Sequence, residues 1–106
     1  MSDKLKSALK QLNFKWLPKH LNHIAENIVL KKRNISFLAI NALFRQESRI
    51  IKPAAAPFID SFLIADFVSV QKNDKLRMKA EKMVAVFRLD KHDNIIVITA
   101  YSESDE

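Results

Sequence analysis

Cysteine and glycine are both absent from this chain of 106 residues. Without cysteine there is no disulfide framework and no thiolate-bound zinc, a usage that fits a reducing compartment. Without glycine there is no dinucleotide fingerprint and no P-loop, because both need a backbone that closes on phosphate without a Cβ. Turns that require a positive φ must then use Asn or Asp, and Asn73-Asp74 and Asp93-Asn94 are the places offered. Long apolar runs are missing as well. None reaches the ~18 residues of a membrane span, and the opening MSDKLKSALKQLN has no signal-peptide core. There is no internal repeat and no low-complexity segment, and the length suits one domain.

Charge is plentiful and unevenly placed. The formal net charge is +6. Residues 1–52 carry 11 Lys/Arg against 3 Asp/Glu, and residues 53–106 carry 7 against 9. A basic half points to an anionic partner, nucleic acid first, although the same charge also serves solubility.

The first half reads as helices. Leu5, Ala8, Leu9 and Leu12 follow the i, i+3, i+4, i+7 pattern over residues 2–13, with Ser2 as N-cap and Asp3 at the positive end of the dipole. Pro18 opens a second helix that runs to about Lys32, with Leu21, Ile24, Ala25 and Ile28 as its buried stripe. Ser36 caps a third over 37–47, whose Phe37, Leu38, Ile40, Leu43 and Phe44 leave little polar surface, so it should be central.

The second half reads as strands. Ile50-Ile51 is a short one, 53–57 a loop or lid, and 61–71 a strand with Phe62, Ile64, Val68 and Val70 on one face and Asp66 intruding. A fourth helix after Pro57 is the competing reading for 61–71. Residues 76–89 and 95–101 flank the polar turn 90–94 as an antiparallel hairpin. Its second arm, IIVITAY, is dense in β-branched residues, and Ile96, Ile98 and Ala100 are expected to face the helices. The expected fold is α+β: helices in about 1–52 packed on a three- or four-stranded antiparallel sheet in about 58–101.

Several residues are candidates for chemistry. His20, His23 and Glu26 share a side of the second helix. Without Cys or a further His/Asp pair downstream, no metal site is expected; an imidazole as general acid or base, or as a phosphate contact, is the better functional reading, and ordinary helix-surface residues near a basic patch are the commonest outcome. Thr99 and Tyr101 are ordinary strand formers that also supply two hydroxyls on one face. A register pairing Val86 with Thr99 and Arg88 with Val97 places Arg88 on that face, where a cation among apolar neighbours needs an anion. The run 72–82, with Lys75, Arg77 and Lys79, either tracks a nucleic-acid backbone or guards a sheet edge.

Two pieces of sequence together carry a resemblance. His23, Arg33, Ile35, Ser36, Ala42 and Leu43 form one, and the terminal strand Ile-Val-Ile-Thr-Ala-Tyr the other. The chain resembles small ribonuclease-type toxin domains of the group that includes barnase, EndoU and RelE, and within it BrnT-like proteins. It departs from them at Asn34, where relatives often have Gly, and in its longer stretch 53–70. The resemblance implies an α+β endoribonuclease acting without metal or other cofactor, through attack of a 2′-hydroxyl on the adjacent phosphate. It implies His23, Arg33, Thr99 and Tyr101 as catalytic residues, to which strand register adds Arg88. Lys31, Lys32, Lys75, Arg77 and Lys79 are the expected nucleic-acid contacts. The expected partners are RNA and an acidic inhibitor, or antitoxin, with no membrane. The expected location is the cytoplasm of its own or a target cell. The alternatives are a non-catalytic basic module that binds nucleic acid or protein, and a structural or inhibitor protein whose charge only confers solubility.

Overall fold

The structure, a computed structural model, describes residues 2–29, 36–71 and 78–103. Among these residues three helices, α1 (Asp3–Gln11), α2 (Pro18–Val29) and α3 (Phe37–Arg45), precede four strands. The strands are β1 (Ile50–Pro53), β2 (Phe62–Gln71), β3 (Met78–Leu89) and β4 (Ile95–Ser102). They pair antiparallel in the order β1-β2-β3-β4, with the helices packed on the sheet. The fold is α+β.

Local signals account for the helix starts. The Ser2 hydroxyl accepts the Leu5 N–H at 3.2 Å, and the Ser36 hydroxyl accepts the Ala39 N–H at 3.0 Å, each satisfying a donor that the first turn leaves open. α1 buries Leu5, Ala8 and Leu9. It ends on Leu12 in the left-handed region (φ 52°), whose N–H reaches the Ala8 carbonyl. In a chain without glycine a leucine takes this cap, at a cost of roughly 1–2 kcal/mol, and its half-buried side chain packs on the core in return. Among the described residues the other positive φ values fall on Asp60 and Asp93, residues that tolerate them.

The sheet has an inner face toward the helices and an outer face away from them. Ile64 and Val68 of β2, Met83, Ala85 and Phe87 of β3, and Ile95, Val97 and Ala100 of β4 join the helices in one core cluster. From α2 comes Ile24, and from α3 come Ala39, Ile40, Leu43 and Phe44. Aromatic contacts run through the core from Phe37 to Trp16, Phe14, Phe44, Phe87 and Phe62, with centroids 5.1–5.8 Å apart. The α1–α2 linker adds a parallel bridge to the open edge of β4: the Ile95 N–H donates to the Asn13 carbonyl and the Lys15 N–H to the Ile95 carbonyl.

Residues 62–71 form the strand expected for 61–71 and not the competing fourth helix, while two other expectations need correction. The intruding Asp66 is tolerated because the Ser48 hydroxyl donates to its carboxylate at 2.6 Å. α3 is not buried all round, since Leu38 is 83% and Phe37 40% exposed; a helix covering one side of a sheet buries one stripe only. Most consequential, Ile96 and Ile98 do not join the core. The β3–β4 register shifts between Val86, which faces Thr99, and Phe87, which faces Val97. Ile98 is the extra, bulged residue. Before it, Ile95 and Val97 point inward. After it the phase is reversed, so that Ala100 and Ser102 point inward and Thr99 and Tyr101 outward. Arg88 accordingly faces Ile96, not Val97.

The hairpin loop 90–94 is held by one side chain. The Asp90 carboxylate accepts the Asn94 side-chain N–H at 3.0 Å and the Asn94 and His92 backbone N–H groups at 2.9 Å each. The Asn94 side-chain bond first, then the two backbone bonds and Lys15, hold its pKa down at about 2, against 3.8 for an unperturbed carboxyl. Because the folded value is the lower one, this contribution to stability is complete above about pH 4 and is lost as the pH falls toward 2. Denaturant melts of the parent and Asp90→Asn should therefore differ at neutral pH and converge near pH 2. Deleting Ile98 should remove the bulge and restore strict alternation in β4 while leaving Thr99 and Tyr101 on the outer face opposite Val86 and Val84, which cross-strand NOEs would check. Ile98→Val should cost about 1 kcal/mol.

Candidate functional site

The outer face is built from β-register alone. It presents Ile50 and Lys52 of β1, Leu63, Ala65, Phe67 and Ser69 of β2, Lys82, Val84, Val86 and Arg88 of β3, and Ile96, Thr99 and Tyr101 of β4. Ala65, Val84, Val86 and Ile96 are buried yet lie outside the main core cluster. They make a second, thin apolar layer with polar and charged side chains around it. Thr99 stands directly across from Val86 and diagonal to Arg88, and Tyr101 stands across from Val84. All three are half-buried. Tyr101, on the edge strand, also packs against the main core.

α2 brings its histidines to β4, the strand it packs against. His20 sits one turn before the fully buried Ile24 and is itself half-buried, whereas His23 is exposed. The His20 pKa is lowered from its ordinary 6.5, first by burial and then by the charges of Lys19, Arg88 and His23. Its place in the first turn of α2 acts in the same sense, because the positive end of a helix disfavours an imidazolium. His20 is thus neutral at pH 7 and able to accept a proton. Its electrostatic link to Arg88 joins the helix to the corner of the outer face where β3 enters the hairpin.

Of the residues singled out from the sequence, Arg88, Thr99 and Tyr101 share one face. His23 lies on α2 beside His20 and within its electrostatic reach. Arg33, Lys31, Lys32, Lys75 and Arg77 lie outside the described residues, as does the turn at Asn73-Asp74. Lys79 is located by its backbone, opposite Val70. His92 is exposed in the hairpin turn. Among the described residues no group of three or more His, Asp or Glu is placed to hold a metal ion, and no helix is long and apolar enough to cross a membrane. The stretch 53–57 belongs to the β1–β2 connection, closed by the Ala54 N–H on the Ser61 carbonyl. A cleft there is lined by Pro53, Ala54, Ala56 and residues 58–62, with Asp60 its one titratable group.

The imidazole linked to Arg88 is His20, named from the sequence beside His23, although the resemblance implies His23 as catalytic. The signal was present: His20 and Ile24 are four apart, so His20 flanks the buried stripe and points toward the sheet. Phe67, neighbour of Lys82 on the outer face, was passed over, because the β2 pattern drew attention to its apolar inner side.

Compared with known protein families, with curated proteins and with solved structures, the chain matches none.

Arg88→Gln should raise the His20 pKa, read from its imidazole proton shifts during an NMR titration. The value should stay below 6.5, because burial is the larger cause and persists. An unchanged His20 titration would separate Arg88 from the α2 histidines.

Proposed function

We propose that the protein is a metal-independent endoribonuclease that takes RNA at the corner where α2 meets the outer face of the sheet. The observation carrying this reading is the shared electrostatic neighbourhood of His20, His23 and Arg88 beside Thr99. A neutral imidazole, a second imidazole one turn away and a guanidinium are what phosphodiester transesterification needs. His20 takes the proton of a 2′-hydroxyl, whose oxygen then bonds to the adjacent phosphorus. The bond from phosphorus to the 5′-oxygen breaks, and His23, protonated, returns a proton to that oxygen. The products are a 2′,3′-cyclic phosphate and a 5′-hydroxyl end. Arg88, with Arg33, neutralises charge on the pentacovalent phosphorus, and Thr99 and Tyr101 orient the phosphate. The likeness of the 23–43 and 95–101 stretches to ribonuclease-type toxins supports the same chemistry. An enzyme of this kind acts where cytoplasmic RNA is found. An acidic inhibitor protein suits a basic face that carries Lys52, Lys82 and Arg88.

A second reading, RNA binding without cleavage, is favoured by Tyr101, whose packing against the core gives it a purely structural reason to be there. Induced expression followed by mapping of RNA ends separates the two. Under the first, growth stops and 2′,3′-cyclic phosphate ends accumulate. His20→Ala and His23→Ala then each lower the cleavage rate about 10²–10⁴-fold, and Thr99→Ala lowers it too, with melting temperatures kept near the parent's. Folded variants as active as the parent would overturn the assignment of residues. A parent that binds RNA, cleaves none and leaves growth unaffected would establish the second reading.

A further inference from the structure

The opposite end of the outer face has features that the cleavage chemistry does not use. Six of the nine aromatic residues form the core chain described above. Of the others, Phe58 and Tyr101 are half-buried, and Phe67 is 60% exposed. The β1–β2 pairing ends at Ile50 opposite Ala65, so the Phe67 ring has no β1 neighbour directly beside it. Its one cross-strand partner is Lys82. Ile50, diagonal to it, is 63% exposed. The Lys82 ammonium is held by the Glu103 carboxylate at 3.4 Å, and the Glu103 N–H donates to the Lys82 carbonyl. A flat aromatic surface therefore lies beside a cation that already holds an anion.

We propose that Phe67 and Lys82 form a stacking subsite for an unpaired nucleotide: its base lies on the Phe67 ring and the adjoining phosphate displaces Glu103 from Lys82. The proposal rests on the reading that RNA occupies the outer face and deepens it by naming the substrate as single-stranded. Three observations favour a nucleic acid over another occupant. The chain is net positive by +6. The exposed ring sits in the same row as a lysine, the pairing that single-strand binders use. The anion now on Lys82 is a single carboxylate on an exposed residue, which a phosphate within a polyanion displaces with the help of counterion release. Lys82 and Arg88 are six residues apart on one strand, roughly 20 Å. A strand of a few nucleotides is needed to touch both. A duplex keeps its bases stacked and offers no face to Phe67. Stacking on a bare ring reads no base edge, so the subsite selects for an unpaired nucleotide and not for a sequence.

The test measures binding apart from cleavage, by fluorescence anisotropy with a labelled 2′-O-methyl oligouridylate, which lacks the attacking hydroxyl. The single strand should bind more tightly than a 2′-O-methyl duplex of the same length. Phe67→Ala should weaken single-strand binding about five- to hundredfold and leave the salt dependence unchanged, while Phe67→Trp should restore it. Lys82→Gln should weaken binding and flatten its salt dependence, and Glu103→Gln should strengthen it. Equal affinity of Phe67→Ala and the parent for the single strand would overturn the subsite, as would a duplex bound as tightly as the single strand. Phe67-dependent binding by a parent that cleaves no RNA would leave the subsite standing and remove only the ribonuclease reading.

Discussion

The structure turns on the pairing of β3 with β4 and on the one residue by which that pairing is out of step. Were the ladder regular, Ile95, Val97, Thr99 and Tyr101 would all point inward. A threonine hydroxyl and a phenol would then enter a core otherwise built from aliphatic and aromatic side chains, each costing about 1–3 kcal/mol unless a partner was found. The bulge at Ile98 avoids this. It leaves Ala100, which is small, under the helices, and sends Thr99 and Tyr101 to the face that carries Arg88. Ser102, inward again, is satisfied by donating to the Glu81 carboxylate at 2.7 Å. A single inserted residue thus separates a core-forming half of β4 from a half that serves both faces, and every outer-face residue contributed by β4 beyond Ile96 depends on it.

What could be read from the sequence follows from how local each signal is. Ser2 and Ser36 cap helices because a hydroxyl three residues ahead of an open N–H needs no tertiary context. The hairpin turn was legible because Asp90 and Asn94 bond within five residues of one another. The phase of β4 was not legible. Seven consecutive residues that are apolar, β-branched or aromatic carry no alternation, so nothing in 95–101 says which side is inside until β3 is laid beside it. The placement of Arg88 with Thr99 came out the same by either route, but the partners expected around them shifted, Ile96 replacing Val97. The extent of burial on α3 was also beyond the pattern, because an apolar helix start looks identical whether it is covered or, like Leu38, exposed.

Charge counted along the chain and charge placed in space diverge. The basic surplus lies in the first half of the sequence, yet of the described cations of the outer face, Lys52 on β1 and Lys82 and Arg88 on β3, two come from the half with an acidic surplus. Four described carboxylates of that second half are engaged elsewhere: Asp90 in the hairpin loop, Asp66 under Ser48, Glu81 buried on the inner face, and Asp93 on Lys4. Carboxylates with structural partners do not compete for an anionic ligand, so the face is more positive than its stretch of sequence. Glu103, in contrast, rests on Lys82, a cation of the outer face.

α2 ties the chemistry of this face to the packing of the core. Its first turn is closed by the His20 and Leu21 N–H groups on the Leu17 carbonyl at 3.0 and 2.8 Å, and one turn later Ile24 is fully buried. His20 lies between these two anchors, so its ring is set by bonds and contacts made for folding. The same burial that fixes the ring also disfavours its charged form, and the cation on the neighbouring strand adds to that effect. Position and proton affinity of this imidazole therefore have one origin, the seating of α2 against β4. Loosening that seat, for instance by shrinking Ile24, would move the histidine toward water and toward an ordinary imidazole pKa together.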